Sequence, residues 1–277
     1  MRKTRLDILK NFLLENGFSH IKELSKYFDV SEMTIRRDLK ILQSEGFVEI
    51  HGGVVVSKKI KNYNLRKIKN VHEKEKIAEI AVKLLEDRRF IYLGGCTTNL
   101  MIARKLSSME LDHNIHVITN DPHIVIELGR MRKASIFVLP GLYDNANETI
   151  IHHDIEDIKR YVRGIEIAFL GITGISTDGS FYNADPFEAI LKKEIIKIAK
   201  EVAFVADHTK FGKKFPWKVC SFGDVDYLIT DQKPESGFMK LAYDNNLNLL
   251  FYDYPKSDLN LAGNNNESGE KDESCNS

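Results

Sequence analysis

"VSEMTIRRDLKILQSEGFVEIHGGVVV", residues 30–56, is the stretch whose reading decides the fold. Ser31 is a residue type that caps helix N-termini, because its hydroxyl can accept from a first-turn amide. After it, Ile35, Leu39 and Leu42 recur at the spacing of one buried helical stripe, and Thr34, Arg36, Arg37 and Lys40 are distributed around the rest. Gly46 stops the helix, and two β-prone runs around Gly52-Gly53 read as a hairpin. Upstream, "TRLDILKNFLLENG" (4–17) places Leu6, Leu9, Phe12 and Leu13 on one helical face and ends at Asn16-Gly17. "HIKELSKYFDV" (20–30) repeats the pattern with Ile21, Leu24, Tyr27 and Phe28. Three helices followed by a hairpin make a winged helix-turn-helix.

In such a motif the third helix enters the major groove amino-terminus first. Ser31, Glu32, Met33, Thr34, Arg36, Arg37 and Lys40 are therefore the candidate DNA contacts, with His51 on the wing. Arginine suits both guanine and phosphate because its fork donates two parallel hydrogen bonds. The competing reading is surface pairing of Arg36 and Arg37 with Glu32 or Asp38, worth under ~1 kcal/mol for each pair. The charge distribution favours DNA. The chain is neutral as a whole, but residues 1–70 hold 15 Lys and Arg against 8 Asp and Glu, whereas residues 256–277 hold 2 against 5. A basic amino-terminal part on a neutral chain is the footprint of a nucleic-acid module carried by another domain.

"VSEMTIRRDLKILQSEGFVEIHGGVV" resembles the amino-terminal motif of the DeoR family of bacterial transcriptional regulators, in which a TIRRDL helix is followed by an HGG wing. The likeness runs from residue 5 to residue 56. It implies a regulator, most often a repressor, whose partner is a double-stranded operator.

A chain of 277 residues, 43% hydrophobic and 29% charged, has room for more than one domain of the usual roughly 100 to 200 residues. No apolar run approaches the roughly 20 residues that cross a bilayer, and the first helix carries charges inside its apolar pattern, so the expected location is the cytoplasm. Cys96, Cys220 and Cys275 form no CxxC pair, and His152-His153 are adjacent and point apart, so neither a metal site nor a cofactor is expected.

The expected organisation is a DNA-binding domain over 1–57, a basic linker over 58–73 without sustained apolar period, an α/β domain over 74–255 and a polar, disordered tail over 256–277. In the third segment, "FIYLGG", "IHVITN", "ASIFVLPG", "IEIAFLGI", "EVAFVAD" and "DYLIT" alternate with helical stretches such as "PFEAILKKEIIKIAKE". Strands alternating with helices predict a mostly parallel sheet covered on both faces. Ligands in such folds sit beyond the carboxyl ends of the strands. "GGCTTN" (94–99), "TND" (119–121) and "ADHTKFG" (206–212) occupy such ends. They offer small residues that let amides approach an anion, two threonine hydroxyls, and the Lys210 ammonium. Taken singly, each also reads as a tight turn, a helix cap or a solvated lysine.

This half, over about 74–255, is similar to the DeoR-type sensor, whose fold is that of ribose-5-phosphate isomerase and which typically binds a phosphorylated sugar. The resemblance aligns "GGCTT" with the family's DSGTT turn, Thr119-Asn120 with its TN, "DHTKFG" with DSSKFG and Thr230-Asp231 with TD. The effector candidates that follow are Gly95, Cys96, Thr97, Thr98, Thr119, Asn120, Gly141, Asp207 and Lys210. The chain departs from the family at Gly94 and Cys96, at Pro140-Gly141, and at Ser176 in place of an expected carboxylate. A homo-oligomeric, non-enzymatic regulator is the expectation. A sugar-phosphate isomerase recruiting Asp207, Asp178 and Lys210, or an assembly domain without effector, are the rival readings.

Overall fold

The computed structural model describes residues 2–58, 62–151 and 164–252. The amino-terminal unit consists of α1 (Arg2–Asn16), β1 (Phe18–His20), α2 (Ile21–Tyr27), α3 (Glu32–Ser44), β2 (Val48–His51) and β3 (Val54–Ser57). Its strands form an antiparallel sheet in the order β1-β3-β2. Leu9, Leu13, Ile21, Leu24, Ile35, Leu39, Leu42, Val48 and Val55 close one core, the stripes expected from the spacing. Tyr27 departs from that expectation and is 64% exposed, because α2 ends there and its ring leans on Phe12 from the rim, 4.9 Å between centroids. The wing turns at Gly52 (φ 55°) and Gly53 (φ 84°), a left-handed pair that glycine reaches without a Cβ penalty. One charge of α3 lies inside the unit. Asp38 is 1% exposed and accepts from Arg5 Nε at 2.6 Å, which ties α1 to α3.

The stretch read as a linker contains α4 (Tyr63–Ile68), and α5 (Val71–Ala81) begins before its end. Six residues are too few to display an apolar period, and α4 buries only Tyr63, stacked on His123 with centroids 4.7 Å apart. Beyond it a seven-stranded parallel sheet is built from β4 (Phe90–Leu93), β5 (Ile115–Thr119), β6 (Ala134–Val138), β9 (Ile167–Gly171), β12 (Glu201–Val205), β14 (Tyr227–Thr230) and β15 (Asn248–Phe251). Its order is β15-β14-β12-β9-β4-β5-β6. All six expected strands are present; β15, which was not expected, forms one edge. Helices α5, α6 (Thr97–Ser107) and α7 (Pro122–Leu128) share one buried cluster with one face of the sheet. Helices α8 (Pro186–Ile198) and α9 (Ser236–Asp244) share a second cluster with the other. The chain runs outward from β4 to β6 and then returns to β9 on the far side of β4. That reversal is the topological switch point at which doubly wound sheets open a crevice.

Two small antiparallel units were not legible beforehand. The hairpin β7 (Leu142–Asp144) and β8 (Thr149–Ile151) lies beyond β6, and a three-stranded sheet joins β10 (Gly174–Ile175), β11 (Ser180–Asn183) and β13 (Trp217–Ser221). The second of these is where the wing sits. Phe18, Val54 and Val56 pack with Tyr182, Ala184, Phe215 and Trp217, and the Phe18 and Phe215 rings approach to 5.2 Å. Residues 256–277, read as disordered, lie outside the described residues, as do His152 and His153. Among the described residues no helix is long and apolar enough to cross a membrane.

Candidate functional site

The first turn of α3 is built to stand free. Ser31 caps it, with Oγ accepting from Thr34 N at 3.3 Å and lying 3.0 Å from Thr34 Oγ1. Below, Ile35, Leu39 and Leu42 anchor the rod, while Glu32, Met33, Arg36, Arg37 and Lys40 are exposed. The rival reading, self-pairing, accounts for little of this. Arg36 comes no closer than 3.9 Å to Glu32 with both side chains about half exposed, and Asp38 is already held by Arg5. Arg37 makes no ion pair among the described residues. His51 is placed differently from the other DNA candidates. Its Nε2 lies 3.3 Å from Glu49 Oε2 and its ring stands edge-on to Trp217 at 5.9 Å, so it faces the seam between wing and sheet domain.

A polar pocket opens at the switch point, where Gly95 and Cys96 follow β4 and Gly171 and Ile172 close β9. It has two joined chambers, of about 450 and 530 Å³ counting their open mouths, which share Arg66, Cys96, Gly171 and Ile172. Lysines dominate one chamber: Lys69, Lys74 and Lys210 surround Thr97 and Thr98, the first residues of α6, with Asp207 and Asn70 opposite. First-turn amides have no intrahelical acceptor and carry the positive end of the helix dipole, so together with the three lysines they give this chamber groups suited to an anion. The other chamber is lined by Asn147, Thr173, Asn183, Asp185, Glu188 and Lys192, groups suited to hydroxyls and amines.

The electrostatics fit that division. Burial pulls the Lys74 ammonium down to about 8, against the attraction of Asp207, and burial also lowers Lys210 against the same carboxylate. Burial alone would raise Asp207, but Lys210, the Thr209 hydrogen bonds and Lys74 hold its carboxyl below the ordinary value. Burial raises the Cys96 thiol, although the Asn99 amide favours its thiolate, so Cys96 serves as a neutral cap for α6. Above about pH 8 the folded chain sheds a Lys74 proton that the unfolded chain keeps up to its ordinary value near 10.5. The empty protein therefore gains stability from this group as pH climbs through that window, and an anion that needs the ammonium binds less tightly there. A titration with inorganic phosphate from pH 7 to 9.5 should show affinity falling above 8, and Lys74→Arg should flatten the fall because a guanidinium keeps its proton.

Of the sequence candidates, Gly95, Cys96, Thr97, Thr98, Asp207 and Lys210 line the pocket. Thr119, Asn120 and Gly141 line neither chamber. Thr119 ends β5, Asn120 follows it and is covered by the β7–β8 hairpin, with Ile150 N donating to Asn120 O at 2.8 Å, and Gly141 lies between β6 and β7; their polar groups brace the fold instead. Thr119 Oγ1 donates to Leu93 O at 2.7 Å; Asn120 Oδ1 accepts from Gly95 N at 2.7 Å and Tyr92 OH at 3.2 Å. A Cβ on Gly141 would meet Ile151 O at 2.1 Å, so that glycine permits the β7–β8 approach. Gly95 is equally confined, since a Cβ there would meet Thr149 Cγ2 at 2.4 Å. Gly95→Ala is expected to cost about 1 to 3 kcal/mol in thermal or urea unfolding, the usual penalty of overpacking. An unchanged midpoint would show that the strand end is looser than this.

Sequence reasoning missed Arg66, Lys69 and Asn70, assigned to a linker, Lys74 at the start of the α/β domain, and Glu188 with Lys192. The latter pair left a signal: Glu188, Leu191, Lys192 and Ile195 form one stripe of α8, and charges on an otherwise apolar stripe are paired inside. Lys192 Nζ reaches Glu188 Oε2 at 2.7 Å with both buried. Asp178, a candidate base in the isomerase reading, lines neither chamber and is held by Ser176 and by Ser180 N.

An exposed basic helix on a winged unit and an interior polar pocket, carried by one chain, define a class: a DNA-binding transcriptional regulator with its own sensor domain. Comparison with known proteins specifies it further. Residues 5–60 match the DeoR-like helix-turn-helix domain and residues 69–232 the DeoR C terminal sensor domain. The chain belongs to the DeoR family of HTH-type transcriptional regulators. It is 34% identical to the uncharacterized HTH-type transcriptional regulator FruR of Bacillus subtilis (strain 168), over 81% of this chain and 87% of that protein. It is 29% identical to the glycerol-3-phosphate regulon repressor of Escherichia coli (strain K12), over 85% and 93%. A ribose 5-phosphate isomerase A from Methanocaldococcus jannaschii is 20% identical, with a TM-score of 0.39 over 53% of this chain and 56% of the enzyme, a likeness too low to transfer an activity.

Proposed function

We propose that the chain represses a sugar-metabolism operon as a homo-oligomer and releases it when a phosphorylated sugar or related phosphate ester fills the pocket. One observation carries the reading: Thr97, Thr98, Lys74 and Lys210 line one chamber at the start of α6, a set of hydroxyls, first-turn amides and ammonium groups that suits a phosphate. The adjoining chamber of amides and carboxylates then receives the polyol. A relative named as a glycerol-3-phosphate regulon repressor supports the same class of effector. Helix-turn-helix proteins read paired half-sites at fixed spacing, which is why assembly belongs to the proposal.

Binding is favoured over catalysis by the state of the carboxylates. A base for aldose–ketose isomerisation must be free and near neutral in pKa. Asp207 instead lies below its ordinary value and accepts from Asn70 and Thr209, and Glu188 is paired with Lys192.

The test is thermal unfolding with a panel of triose, pentose and hexose phosphates, together with operator gel shifts in the presence of each. A ligand at about 100 times its Kd adds about 2.7 kcal/mol, a rise of several degrees. The same compound should release the operator, and Lys210→Gln should weaken its effect. A panel that leaves both midpoint and operator binding unchanged removes the effector and leaves an assembly domain; turnover of any member would restore the isomerase.

A further inference from the structure

Arg66 is explained by neither half of the molecule. It lies on α4, within residues 61–68 that fall between the two family matches, yet it lines both chambers at the neck they share. One terminal nitrogen donates to Asn147 Oδ1 at 3.1 Å. Its Nε is buried and has no hydrogen-bond partner, and the guanidinium makes no ion pair among the described residues. Burial pulls its pKa below the ordinary arginine value. An unsatisfied buried donor on a cation is a standing cost of the fold, and a ligand in the pocket is one way to offset it.

The fold also fixes the helix that carries it. Tyr63 N donates to Ala146 O at 3.1 Å, Asn64 Nδ2 to Glu148 Oε1 at 2.7 Å, and the Lys74 ammonium to the carbonyls of Arg66 and Lys69. Arg66 is therefore held against both chambers by α5 and the β7–β8 hairpin together.

We propose that Arg66 is an effector-binding residue, its fork closing on an oxyanion at the neck, so that the segment joining wing to sensor is itself part of the pocket. This deepens the phosphate-ester reading above and rests on it. An occupied pocket then ties α4 to the strand ends of β4 and β9. The chain that leaves the wing at Ser57 enters that same helix at Tyr63, so occupancy acts directly on the wing's attachment.

The experiment uses full-length protein at fixed ionic strength, with inorganic phosphate as the probe, followed by thermal shift. Wild type, Arg66→Lys, Arg66→Gln and Lys210→Gln are compared. Both Arg66 variants should bind phosphate about tenfold or more weakly, since lysine keeps the charge but loses the fork. Their ligand-free midpoints should be no lower than wild type, because both lack the buried, unpartnered Nε donor; a merely structural arginine would lower them. Phosphate affinity unchanged in both Arg66 variants but reduced in Lys210→Gln overturns the role of Arg66 and leaves the proposed function standing. No phosphate binding by wild type, with the ester panel also silent, overturns both.

Discussion

Replacing Arg37 by alanine is expected to weaken operator binding by about 1 to 3 kcal/mol if its fork reads a guanine, with little change in fold stability. The structure gives the reason for both halves of that expectation. Arg37 stands on the exposed face of α3, free of any ion pair among the described residues, so nothing inside the protein is released when it goes. Its backbone is held by Ile35 and Leu39 on the opposite face and by the Ser31 cap, none of which depends on the guanidinium. The measurement is a binding titration at several salt concentrations, on the operator and on a duplex with the target guanine replaced. A base contact appears as affinity lost on the operator and not on the replaced duplex. A phosphate contact appears as uniform loss and a salt slope shallower by about 1. Equal affinities for wild type and variant on every duplex would remove Arg37 from the interface.

Arg37 was legible in the sequence for a specific reason. A three-helix unit leaves its apolar stripes at helical spacing, and once Ile35, Leu39 and Leu42 are assigned inward the remaining positions of α3 point outward. The parallel sheet was equally legible, because strands buried on both faces read as continuous apolar runs, and "IEIAFLGI" and "EVAFVAD" became the central β9 and β12. The pocket was legible only where it is made by strand ends. Gly95, Thr97 and Thr98 follow β4 at the switch point, and Asp207 and Lys210 follow β12, one strand out from it. Which strand ends stay open depends on what folds over them, a tertiary property: the β7–β8 hairpin covers the end of β5, so Thr119, Asn120 and Gly141 looked equivalent in sequence but line neither chamber. Arg66 and Asn70 were hidden for a different reason. A basic stretch with few apolar residues looks solvated unless the neighbours that bury it are known, and those neighbours, Asp207 and the β7–β8 hairpin, lie far along the chain. The β10-β11-β13 sheet left almost no trace, because strands of two to five residues carry too few alternations to read.

That small sheet is the subject of the second large effect. Phe215→Ala is expected to unseat the winged unit from the sensor, at a cost of about 3 kcal/mol, the lower end of what buried Phe→Ala substitutions show. Phe215 is 7% exposed and packs with Phe18 from β1 and with the ring of Trp217 in the cluster that also holds Val54, Val56, Tyr182 and Ala184. Each unit has a separate core, so losing this seam need not unfold either one. In calorimetry the variant should show the winged unit melting apart from the sensor, and limited proteolysis should cut earlier between Ser57 and Tyr63. Operator affinity should survive, since the exposed residues of α3 take no part in the cluster. Control by the effector should not survive. Tyr182 packs toward the wing while Asn183, its neighbour on β11, lines the pocket and holds Thr173 Oγ1 at 3.0 Å. Alternation along one strand thus puts ligand contact and wing contact on opposite faces of the same short backbone, and removing the Phe215 ring cuts the second face loose from the first. If Phe215→Ala unfolds in the wild-type manner at the wild-type temperature, and its operator complex still dissociates with the effector, the seam carries neither stability nor signal.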